Sequence, residues 1–270
     1  MGTPHPFDEA LVLVPQADGS QLGHTSPAYA NMVGPFGGVT AAQALNAVLQ
    51  HPQRQGEPVA LTVNFCAALA DGPFRTVARP VRTNRSTQHW VVETEQAGET
   101  VVTATVFTAV RRDTWQAREH DMPAVPPPQD VPLPTGRARV EWVHRYEMRF
   151  IEGGLPADWD GSGATASRTR VWLRDQPPRP LDYPALAAMA DVFFPRIWRR
   201  RATLVPLGTV SMTVYFHADG DLLAATGHGH VLGQAQAQAF RKGYFDQTAQ
   251  LWSASGDLLA TTHQVVYFKQ

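Results

Sequence analysis

Thr62-Val63-Asn64-Phe65-Cys66-Ala67 returns as Thr213-Val214-Tyr215-Phe216-His217-Ala218, with four of six positions identical at a separation of about 150 residues. Each copy follows a small-residue helical pattern and precedes alternating strands, so the chain is constrained to one helix-plus-sheet unit built twice. Two packed units of about 110–130 residues with a linker fit the 270 residues. An internal duplication creates an interface, and an interface can hold a site.

Composition narrows the partners. With 43% hydrophobic residues the core can be large, and a formal net charge of −1 offers no broad attraction for nucleic acid or an anionic membrane. Met1 to Ser20 carries Asp8, Glu9 and Asp18 without a basic start or an apolar run, and no segment is apolar enough to span a bilayer. The expectation is a cytoplasmic protein. The lone Cys66 excludes an intrachain disulfide and a cysteine-based zinc cluster, and its strand pattern reads as core.

The first unit has a Gly- and Pro-containing approach ending Gly34-Pro35-Phe36-Gly37-Gly38, then a helix over 39–50 whose apolar stripe is Ala41, Leu45, Val48 and Leu49. Strands follow over 59–67, 74–82, 88–96 and 100–110, broken by turns at Asp71-Gly72-Pro73 and Ala97-Gly98-Glu99. Between Arg112 and Gly136, Pro123, Pro126, Pro127, Pro128, Pro132 and Pro134 defeat helix and sheet alike. The expected domains are therefore 1–111, a linker over 112–136, and 137–270. The second unit reads as a strand over 140–150, a Gly-rich loop, a strand over 168–174, and a helix from Pro184 to Pro195. Strands over 209–218, somewhere within 222–253, and 258–268 close it.

A long helix wrapped by a curled antiparallel sheet is the hotdog arrangement, so the fold class is α+β, a tandem or double hotdog. On Ala187-Ala188-Met189-Ala190-Asp191-Val192-Phe193, Tyr215-Phe216-His217 and Ala260-Thr261-Thr262-His263-Gln264, the chain resembles acyl-CoA thioesterases of the thioesterase II (TesB-like) type over essentially its whole length. The resemblance implies a water-activating set of Asp191, Thr209 and Gln264, an acyl-CoA substrate, and no metal or redox cofactor. It also departs from the family. Val210-Ser211 stands where an acid-His pair is usual, and Ala218-Asp219 where Arg-Pro follows the histidine.

Thioester hydrolysis needs a nucleophilic water, a partner for its proton, and donors for the developing oxyanion. Asp191 lies about 140° round the helix from Leu186 and so leaves the sheet-facing stripe, toward the other unit or toward solvent. Strict alternation through Met212, Val214 and Phe216 turns Thr209 away from their face, where a strand-start Thr also serves β-propensity alone. Gln264 shares parity with Ala260, Val266 and Phe268, and a buried amide there bonds either a carboxylate with its water or the backbone.

The first unit places Pro58 opposite Thr209, Val106 opposite Gln264, and Asn46 or Ala47 opposite Asp191, so one competent site per chain is expected. Backbone donors are expected at Gly37 and Gly38, which could equally form a tight turn. Arg85 is a candidate for the pantetheine channel by family analogy, Phe194 for the acyl pocket, and Arg196 with Arg199-Arg200-Arg201 for CoA phosphates or a solvated cluster. His228 and His230 lack a neighbouring carboxylate in sequence and read as loop rather than metal ligands. No Gly-x-Ser-x-Gly motif is present, which favours direct attack by water over an acyl-enzyme. A non-catalytic acyl-CoA-binding protein and an enoyl-CoA hydratase-like hotdog enzyme are the competing readings. Exposed sheet edges leave a homo-oligomer open.

Overall fold

In the computed structural model, which describes residues 4–135 and 139–269, the first half runs α1 (Pro6–Ala10), β1 (Val14–Pro15), β2 (Gln21–His24), α2 (Gly37–Leu49), β3 (Glu57–Phe65), β4 (Pro73–Thr83), β5 (Thr87–Gln96) and β6 (Glu99–Ala109). The second half runs β7 (Tyr146–Glu152), β8 (Thr169–Asp175), α3 (Tyr183–Met189), α4 (Arg196–Arg201), β9 (Leu207–Phe216), α5 (Gly220–Thr226), β10 (Val231–Gln236), β11 (Phe240–Arg241), β12 (Tyr244–Ser253) and β13 (Leu258–Phe268). The strands form one sheet in the order β1-β2-β4-β5-β6-β3-β9-β13-β12-β10-β8-β7, with β11 paired to β12. None of the described helices is long and apolar enough to cross a membrane.

The sequence repeat meets itself where the halves join. Strands β3 and β9 pair antiparallel with Thr62 opposite Thr213, and their hydroxyls lie 3.0 Å apart. These two threonines occupy the same position in the repeated run, so the pseudo-twofold axis passes between them. Helix α2 packs on its own half's strands and on α3. Its small residues Ala41, Ala44 and Ala47 are all buried, which permits close approach on both sides.

Each half also carries the same two bulges. Val59 is the extra residue between the pairs Pro58–Thr108 and Ala60–Phe107, and Val210 is the extra residue between Thr209–Val266 and Ser211–Val265. Val101 and Leu259 are extra in the same way on β6 and β13. The Val101 carbonyl accepts from the Cys66 and Ala67 amides, and the Leu259 carbonyl accepts from those of His217 and Ala218. A bulge inserts one residue and re-aims every side chain beyond it.

Several local expectations change. The helix expected from Pro184 to Pro195 stops at Met189, because Val192-Phe193-Phe194 is β-branched and aromatic and Pro195 disfavours helical backbone at Phe194. The chain turns and restarts as α4. The strand expected somewhere within 222–253 is present as β10 and β12, and helix α5 precedes them, overlapping the start of that stretch. Asp219 caps it by accepting from the Leu222 amide at 2.8 Å, a signal the sequence carried. Glu141–Arg145 forms a 3-10 turn, so the strand expected from Val140 starts at Tyr146. Cys66 is exposed rather than core.

Over its described residues, 112–135, the Pro-rich stretch is neither helix nor strand apart from a 3-10 turn at Pro128–Asp130. It covers the outer face of the second half's sheet. Trp172 Nε1 donates to the Pro126 carbonyl at 2.8 Å, and Val131 packs with Trp172, Leu232 and Trp252.

Candidate active site

Asp191 sits two residues beyond the end of α3, on the turn that closes it, with its amide donating to the Ala188 carbonyl at 3.1 Å. It is therefore a turn residue and not a helix residue, but it does face the other half. Helix α2 begins after Phe36, which offers no side-chain cap, so its first amides are left without intrahelical partners. The Asp191 carboxylate stands at that end of the helix, where the Gly38 amide helps to lower its pKa. Glycine is required twice here. A Cβ on Gly37 would lie 2.8 Å from Asp191 Oδ2, and one on Gly38 would lie 2.5 Å from the Ala188 carbonyl.

Gln264 completes the contact from β13. Its Nε2 donates to Asp191 Oδ1 at 2.7 Å and approaches Met212 Sδ at 3.2 Å, and the residue is 3% exposed. Burial pushes the Asp191 carboxyl up to about 7, although the Gln264 and Gly38 hydrogen bonds pull it down. Near neutrality such a carboxylate can both accept and return a proton, which suits a general base that must later act as an acid.

Thr209 is aimed differently from expectation. Strict alternation turned it away from the Met212 face, but the bulge at Val210 shifts the parity. Thr209 pairs with Val266 while Gln264 pairs with Met212, so Thr209 shares the inner face with both, one step along. Its hydroxyl has no hydrogen bond to Asp191 or Gln264 among the described residues.

The aromatic side chains gather at the start of α2. Phe36 stacks on Trp142 with ring centroids 4.2 Å apart, Tyr146 meets Phe36 edge-on at 6.1 Å, and Phe194 stacks on Phe150 at 5.6 Å. Phe194 thus joins a wall built from both halves, three residues from Asp191. Arg85 lies elsewhere. It is exposed in the turn between β4 and β5, where its carbonyl accepts from Gln55 beyond the far end of α2, a helix length of about 20 Å from Gly38.

Sequence reasoning missed a buried polar group behind the carboxylate. Tyr29, Tyr146 and Asp175 are at most 5% exposed, and the Tyr hydroxyls and both Asp175 oxygens lack hydrogen-bond partners within the protein. Burial raises both tyrosines, and pushes Asp175 up to about 7 against the pull of Arg179. No motif marks these residues, because only folding brings the three together. His230 does meet a carboxylate, Glu147, at 3.1 Å. That carboxylate is occupied: burial pushes it up, but Arg174, Arg149 and His230 outweigh this and hold it at about 2. No cluster of three metal-binding side chains occurs among the described residues.

The N-terminal domain of the acyl-CoA thioesterase family matches residues 26–109, and its C-terminal domain matches residues 119–268. The chain belongs to the acyl-CoA thioesterase family. A conserved protein of unknown function with hot dog fold from Alicyclobacillus acidocaldarius is 46% identical, with 99% of each chain covered and a TM-score of 0.94. An acyl-CoA thioesterase II from Mycobacterium marinum shares the fold at 18% identity and a TM-score of 0.76, covering 97% of this chain and 98% of its own. The dehydratase domain of PpsC from Mycobacterium tuberculosis, in complex with C12:1-CoA, is a more distant hotdog at 15% identity and TM-score 0.55, covering 99% of this chain and all of its own. Among curated proteins none matches. As a member of the acyl-CoA thioesterase family with a double hotdog fold, the protein is a thioester hydrolase.

Proposed function

We propose that this thioesterase hydrolyses a fatty acyl-CoA to free acid and CoA by direct attack of a water held on Asp191. The observation that carries the reading is the 2.7 Å contact between Asp191 and Gln264 at the start of α2, on a carboxyl raised to about 7. Asp191 takes a proton from water as the water oxygen bonds to the thioester carbonyl carbon, and negative charge moves to the carbonyl oxygen. The C–S bond then breaks, and the proton held on Asp191 passes to the departing sulfur. Gln264 fixes the carboxylate, and Thr209 orients the water from the same sheet face.

The Gly37 and Gly38 amides, at the uncapped start of α2, are assigned to the oxyanion. Phe194 and its aromatic neighbours form the wall against which the acyl chain lies. The proposed domains are 1–111 and 137–270, joined by 112–136. This chemistry requires no metal or redox cofactor. A panel of acyl-CoA esters of increasing chain length, scored by free thiol, tests the reading. Thiol release supports it. Tight binding without release would replace it with a binding protein, and loss of enoyl absorbance at constant thiol would replace it with a hydratase.

A further inference from the structure

Arg196 is 1% exposed, and every acceptor it meets is neutral. Its Nη1 donates to the Ser167 carbonyl at 2.8 Å and to Thr169 Oγ1 at 2.7 Å, its Nη2 donates to the Phe194 carbonyl, and its Nε has no partner. Neutral acceptors orient a guanidinium without cancelling its charge, and a buried cation calls for an anion. The charged group that acts on it is instead Arg199, a second cation, and burial with this repulsion lowers Arg196 only to about 9, so it remains charged at neutral pH.

A cavity of about 110 Å³ opens beside α4, lined by Glu152, Ala164, Thr165, Ala166, Arg168 and Arg199. The loop leading to β8 lies across α4: the Ala164 amide donates to the Arg199 carbonyl at 3.1 Å, and Arg200 donates to the Ala164 carbonyl. Arg199 Nε is buried there without a partner. Glu152 is already engaged by Arg168, with Arg170 at 3.8 Å. Arg196, Arg199, Arg200 and Arg201 therefore form a cationic surplus in a chain whose net charge is −1. Asp158 and Asp160, the other acids of this loop, are exposed.

We propose that this cavity is an oxyanion subsite that receives phosphate of the substrate's nucleotide end, with Arg199 and Arg168 as contacts and Arg196 as the buried charge behind them. The inference rests on the acyl-CoA reading above. Guanidinium forks match phosphate oxygens in geometry. Arg196 starts α4 five residues after Asp191, so the subsite and the carboxylate lie on one continuous segment. A ligand that reacts at one end and is charged at the other needs such an arrangement.

The test is calorimetric titration of the full-length protein with CoA and with pantetheine, which carries the same thiol arm without phosphates. Arg199→Gln should weaken CoA about tenfold and leave pantetheine unchanged, Arg199→Lys should recover part of the loss, and inorganic pyrophosphate should compete with CoA. Arg168→Gln carries the same test if Arg199→Gln fails to fold. Unchanged CoA affinity, or equal weakening of pantetheine, would overturn the subsite. Intact CoA binding without thiol release from any acyl-CoA would sink the hydrolytic reading alone, whereas thiol release with an unchanged KM in Arg199→Gln would sink the subsite alone.

Discussion

The two halves share a skeleton down to their bulges and differ in what they bury. In the first half the buried polar side chains are all neutral, including Gln21, Thr40, Gln43, Thr76 and Gln88. Those on or against α2 are spent on the backbone: Gln43 donates to the Ala10 carbonyl at 2.8 Å, Gln21 to the Ala47 carbonyl, and Asn46 to the Leu11 carbonyl at 2.9 Å. The second half buries the ionisable groups Asp175 and Arg196 and also raises Asp191 by burial. At helix position N2 the first half has Gly38, whose amide reaches Asp191, and the second has Pro184, which has no amide to give. One copy of the repeat thus buries only neutral polar side chains, while the other holds the carboxylate proposed as the base.

The largest effect should come from Asp191→Asn, which preserves shape and removes the base. Thiol release should fall about a thousandfold, while Asn46→Ala, on the first half's helix, should leave the rate within about twofold and cost about 1 kcal/mol of unfolding free energy. Equal losses of activity would break the contrast. Gln264→Val, which installs the kind of residue Val106 supplies in the first half, should lower kcat about a hundredfold. It should also move the acid limb of the pH–rate profile to higher pH, because the bond it removes is one that lowers Asp191. A limb shifted toward lower pH would contradict the assignment of Asp191 as base.

Thr209→Val should cost about tenfold in kcat, the worth of one hydrogen bond, with the melting temperature nearly unchanged. An unaffected rate would remove Thr209 from the set. The smallest effect concerns stability. Asp175 and Asp191 are both raised to about 7 in the fold against about 3.9 for an unfolded Asp. The folded state therefore binds more protons, and their contribution is complete below the unfolded value and lost as pH rises through about 7. Asp175→Asn should flatten this dependence by on the order of 1 kcal/mol between pH 5 and pH 8. Denaturant unfolding at the two pH values measures it, and a steeper dependence in the variant would refute the assignment.

Much of this contrast is legible in the sequence. The expected helix over 39–50 and strands over 59–110 lie within two residues of α2 and β3 to β6, because turn glycines and alternating burial mark each boundary. The second half is less legible where function intrudes. Its helix breaks to place Asp191 on a turn, and a single bulged Val210 reverses the expected aim of Thr209. A bulge adds a residue without changing the local pattern of apolar and polar letters, so strand parity read from letters alone fails beyond it.

The sequence by itself determined the duplication and the tandem hotdog, because periodicity and repetition are local and count along the chain; Asp191, Thr209 and Gln264 were singled out by the family resemblance. Only the tertiary structure decided that Asp191 of one half stands at the uncapped helix start of the other, that Arg196 is buried against neutral acceptors, and that Arg85 lies at the far end of that helix. Those facts depend on which surfaces exclude water from one another, and exclusion is a property of the assembled halves.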